Sequence, residues 1–125
     1  MIEQEMKSRT KQIAIRVINL TESLPDTNSA QIIGKQLLRS ATSVGANYRT
    51  ACRGKSTADF LYKLSIVEEE ADESLYWLEL LIESKIVSEN RLLPLMKDIS
   101  EIVAIIVSST KTLCAKNSNN PKSKS

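Results

Sequence analysis

The chain has 125 residues and a formal net charge of +2 at pH 7, which fits a single domain with a real core and is too little charge to argue for nucleic-acid binding by itself. It contains no histidine, so the commonest general base and the commonest zinc ligand are both missing. With only three Gly and three Pro among many Leu, Ile, Glu, Lys, Ala and Ser, it favours helix over sheet.

The first apolar stripe, Met6, Ile13, Val17, Leu20 and Leu24, predicts a helix over about 2–23 that Pro25 ends. The second helix is expected over 29–52, capped by Asn28 or Ser29, with Ile33, Leu37, Ala41, Val44, Tyr48 and Ala51 on one face. Gly54 suits a left-handed residue just past its end. Ser56 and Asp59 form an S-x-x-D variant of the capping box, opening a third helix over 57–85 with the stripe Phe60, Leu64, Val67, Ala71, Leu75, Leu78 and Ile82.

The fourth helix is expected over 89–115 behind Ser88, with Leu92, Leu95, Met96, Ile99, Val103, Ile106 and Leu113 facing inward. Pro94 predicts a kink or a late start there. Short loops between long helices force antiparallel neighbours. The expected fold is therefore all-α, an antiparallel up-down-up-down four-helix bundle over 1–116, with a disordered tail over 117–125.

A second stripe runs beside the core stripe on each middle helix. On the third it comprises Asp59, Lys63, Ile66, Glu70, Glu73, Trp77 and Leu81. On the second it comprises Gln36, Ser40, Ser43 and Asn47, with Arg39 and Thr50 at the edge. The bland reading is a solvated shoulder. Trp77 favours a subunit interface instead, because aromatics are enriched at interface cores. The residues expected at that interface are Gln36, Arg39, Ser40, Ser43 and Asn47 with Lys63, Ile66, Glu70, Glu73 and Trp77. Charge points the same way. From Asp26 to Lys55 there are five bases and one acid, and from Ser56 to Ile86 eight acids and two lysines. Part of that complementarity stabilises the hairpin itself, and part suits one copy's basic helix facing another copy's acidic helix, a heterologous contact that closes into rings.

The run QLLRSATSVGANYRTACRGKSTADF, from Gln36 to Phe60, with YWLELL further on, resembles the family of small bacterial "four helix bundle" proteins, some encoded by intervening sequences within 23S ribosomal RNA genes. The resemblance implies a left-handed antiparallel bundle assembled as a homopentameric ring, with no enzymatic activity and no catalytic residues to carry over. A more distant resemblance, to the accessory protein of diversity-generating retroelements, implies a basic ring surface that binds nucleic acid and a reverse-transcriptase-like enzyme. The chain departs from the family pattern at Thr50, where many members have Glu, and at Glu69, where related sequences often carry Lys.

Chemistry finds little footing. Glu70 and Glu73 share a helix face, but carboxylate di-metal bundles use E-x-x-H motifs and the chain has no His. Ser40 and Ser43 lack a base. No catalytic, cofactor or metal residues are expected, and no small-molecule substrate. Cys52 and Cys114 form no CxxC, and the expectation is free thiols in a cytoplasmic protein. No apolar run reaches transmembrane length, and the N-terminal MIEQEMKSRTKQ is too charged for a signal peptide. Lys35, Arg39, Arg49 and Arg53, with Lys55 in the following turn, are the candidate contacts to RNA or DNA. Against them stand the acidic third helix and the bland reading of a solvated basic face. The chain is thus expected to be a non-catalytic homo-oligomeric scaffold that binds nucleic acid or a nucleic-acid enzyme. The alternative is a pure protein–protein adaptor.

Overall fold

The computed structural model describes residues 2–118 and consists, over that span, of four helices: α1 (Ile2–Glu22), α2 (Asn28–Ala51), α3 (Thr57–Glu83) and α4 (Glu89–Ser118). Each helix buries the stripe its 3.6-residue period defines. Met6, Ile13, Val17 and Leu20 of α1 meet Leu37, Ala41, Val44 and Tyr48 of α2 in one core. Leu64, Val67, Ala71 and Leu78 of α3 and Leu92, Leu95, Ile99 and Ile106 of α4 complete it.

Neighbours are antiparallel. Arg9 pairs with Glu101 at 2.8 Å and Arg16 with Asp98, while Arg91 donates to Ser23 Oγ at 2.7 Å. Along this seam α1 numbers rise as α4 numbers fall. Gly45 lets α1 and α2 approach closely, since a Cβ there would lie 3.3 Å from Thr10 Oγ1. Thr10 is itself buried and returns its hydroxyl proton to the Met6 carbonyl at 2.8 Å.

The helix ends differ from the sequence expectations for local reasons. Thr27, not Asn28 or Ser29, is the α2 cap, its side chain accepting from Ala30 N at 3.3 Å. Ser56 does cap α3, accepting from Asp59 N at 3.1 Å, but Asp59 Oδ2 accepts from Lys55 N rather than closing the box on Ser56. Gly54 does not have a positive φ. It is favoured by space, because a Cβ would sit 3.0 Å from Asp59 Oδ2 and 3.1 Å from the Ala51 carbonyl.

The left-handed residue lies instead after α3, which ends at Glu83 rather than at residue 85: Lys85 has φ 63°. Ile86 N donates to Leu81 O at 3.0 Å and Lys85 N to Ile82 O at 2.9 Å, the paired bonds of a Schellman ending. Pro94 delays nothing, since α4 starts at Glu89 and is helical through it. The expected tail is helical at Asn117 and Ser118, and its remaining residues, 119–125, lie outside the described span.

Candidate functional site

The expected stripe on α2 and α3 divides in two. Ser40 belongs to the interior. It is fully buried, and its hydroxyl meets that of the equally buried Ser74 at 2.8 Å. Each hydroxyl also reaches a carbonyl of its own helix, Leu37 O at 3.2 Å and Glu70 O at 2.9 Å. Small side chains let α2 and α3 close on each other, and the two hydroxyls satisfy one another where water is excluded. Ser40 therefore leaves the set of subunit-contact residues. Leu81 leaves the stripe too, being fully buried in the core.

The outer part of the stripe remains at the surface. Arg39 is exposed at the α2 edge, its Nη1 3.1 Å from Glu70 Oε2 and its Nη2 on Glu73. The opposed charges of α2 and α3 thus meet within one chain at this point. Trp77 is half-buried against the core and donates its Nε1–H to Glu73 Oε2 at 3.0 Å. Its ring lies edge-on to Tyr76, with centroids 5.1 Å apart. The Trp77 bond, then Arg39, holds the Glu73 carboxyl below the ordinary glutamate range against the opposing effect of burial. Glu73 in turn is the main reason that Arg39 is held above its ordinary value.

A carboxylate with a depressed pKa adds stability that is present above the unfolded value and lost as pH falls through the folded one. The melting temperature should therefore drop on acidification from the ordinary glutamate value of 4.5 downward. A Glu73→Gln variant should lose less over that window. The difference, read by circular dichroism melts, should be on the order of 0.2–1 kcal/mol for so exposed a pair.

Ser43, Asn47, Lys63 and Ile66 complete the shoulder, all half-buried, with Gln36 exposed beside them. Asn47 Nδ2 donates to Ser43 O at 2.9 Å, and Gln36 Oε1 accepts from Arg39 Nε at 3.4 Å. The Ser43 hydroxyl makes no hydrogen bond among the described residues.

The structure breaks up the expected basic stripe. Arg39 is committed to Glu70 and Glu73. Lys35 lies at the far end of the α1–α2 seam, in a small hollow that also contains Glu22, about 21 Å along the axis from Arg49. Lys55 is exposed in the turn before α3. Arg49 and Arg53 remain together, and α1 adds two cations that sequence reading missed. Lys7 and Lys11 line the opposite wall of a groove of about 610 Å³ whose floor includes Gly45 and Ala46. The signal was present in the spacing, since Gln4, Lys7, Lys11 and Ala14 follow one flank of the α1 core stripe.

Tyr48 faces inward and is buried. Burial pushes its phenol well above the ordinary range, and burial likewise raises the Cys52 thiol beside it. Among the described residues no cluster of three or more Cys, Asp or Glu side chains is arranged to hold a metal ion, and no helix is long and apolar enough to cross a membrane.

The model of a family described as 23S rRNA-intervening sequence protein matches residues 3–108. Among solved structures, the chain is similar to a protein of unknown function from the S23 ribosomal protein family of Bacteroides thetaiotaomicron VPI-5482. The two share 37% identity over 89% of this chain and 99% of that one, with a TM-score of 0.83. No curated protein matches.

Proposed function

The chain belongs to the 23S rRNA-intervening sequence protein family, and we propose that it works as a non-catalytic scaffold that assembles with further copies of itself through the α2–α3 shoulder. One observation carries this reading. A half-buried tryptophan, an isoleucine and a serine hydroxyl without a partner among the described residues share one surface strip. An aromatic anchor bordered by small polar groups is the composition of an interface centre and its rim.

Arg39, Glu70 and Glu73 already pair within the chain, so they frame the strip rather than bridge copies. Where this strip meets a different face of the next copy, the contact is heterologous and forms a ring when the rotation closes. The family resemblance sets the expected number of copies at five.

Ser43→Arg places a long charged side chain in the middle of the strip, and both its bulk and the cost of taking its charge out of water oppose contact. Light scattering should find this variant at the 13.9 kDa of one chain, with helix content unchanged. An assembly that survives the substitution would place the contact elsewhere.

A further inference from the structure

We propose that the α1–α2 groove binds the sugar-phosphate backbone of a single nucleic-acid strand. Four cations line it, Lys7 and Lys11 from one wall and Arg49 and Arg53 from the other, and no carboxylate does. Elsewhere on the surface Arg9, Arg16 and Arg39 each lie within salt-bridge distance of an acid. Lys11, Arg49 and Arg53 have no such partner among the described residues, and Lys7 has only Glu3, one turn away at 3.3 Å. Four like charges gathered with one counter-charge, Glu3, repel one another, and a polyanion relieves that repulsion while releasing its own counterions.

The shape of the groove narrows the ligand. Gly45 and Ala46, which carry no bulky side chain, line the groove together with Ser8 and Thr42. It runs over the seam between two directly packed helices and encloses about 610 Å³, room for one strand's backbone between facing cations. No aromatic side chain lines the groove, and Tyr48 is buried in the core, so bases gain no stacking platform. Binding is then nearly indifferent to sequence. The site uses none of the α2–α3 shoulder, so it stands or falls separately from self-assembly.

The test is fluorescence anisotropy of a labelled oligouridine strand with the full chain at about 50 and 200 mM salt. Four backbone contacts predict a loss of affinity of about 50-fold between those concentrations. The double variant Lys11→Glu with Arg53→Glu should abolish binding while leaving the melting temperature and molecular mass unchanged, because both side chains are exposed. Arg39→Ala should bind like wild type, since its guanidinium is already held by two carboxylates.

Three results would each overturn the proposal: no salt-sensitive binding by wild type, equal binding by the double reversal, or equal affinity for a duplex of the same sequence. Loss of self-association in the double reversal would also overturn it, by showing that a second copy fills the groove. Binding by a protein that proves monomeric would uphold this site and refute the assembly reading alone.

Discussion

Trp77→Ala is expected to weaken assembly by about 2–4 kcal/mol per contact, the range for truncating an aromatic at an interface centre, which is roughly 30- to 1,000-fold in the association constant. The indole is placed for this. It is packed on one side against the core and fixed by its Nε1–H on Glu73, so little freedom is lost when a second copy covers its open side. Trp77→Phe separates the two parts of the effect. It retains most of the apolar body but removes the donor, so assembly should largely recover while the Glu73 carboxyl returns toward its ordinary pKa. Sedimentation at several concentrations reads the first effect, and an acid melt reads the second. Wild-type assembly by the alanine variant would remove Trp77 from the interface centre.

Leu78→Ala is expected to lower unfolding stability by about 2–5 kcal/mol, the usual cost of emptying a well-packed leucine site. Leu78 has no exposed surface and lies in the common core. A domain of this size has about 5–15 kcal/mol in total, so urea unfolding should show a large fall in midpoint. Leu93→Ala is the matched control, since that side chain is 47% exposed and should change stability by no more than about 0.5 kcal/mol. Equal losses at the two positions would contradict the burial pattern on which the fold description rests.

The fold was legible because each helix declares itself by an apolar period, and α3 also by its Ser56 cap. Met6, Ile13, Val17 and Leu20, and likewise Leu64, Val67, Ala71 and Leu78, are buried as their spacing predicts. What escaped were residues whose chemistry disguises their position. Ser40 reads as a polar shoulder residue, but a hydroxyl that finds Ser74 across a close helix contact can be fully buried. Leu81 lies at the edge of its stripe and Ile102 between two marked positions of α4, and both are fully buried. Lys85 takes a left-handed conformation usually left to glycine, and nothing in its side chain announces that.

The candidate surfaces were less legible than the fold, and for one reason. Charge along a sequence does not say which charges cancel. The basic half of α2 and the acidic half of α3 suggest a contact between copies, yet Arg39 closes on Glu70 and Glu73 of its own chain. What distinguishes Arg49 and Arg53 from Arg39 is the helix they face. They border α1, whose Lys7 and Lys11 have the same sign, and that pairing exists only after the helices pack.

The central claim is that copies of this chain assemble, and the molar mass of the wild-type protein at micromolar concentration tests it most directly. Size-exclusion chromatography with multi-angle light scattering should give about 70 kDa, five times the 13.9 kDa of one chain. A single species at 13.9 kDa would contradict the account and leave the α2–α3 shoulder a solvated surface.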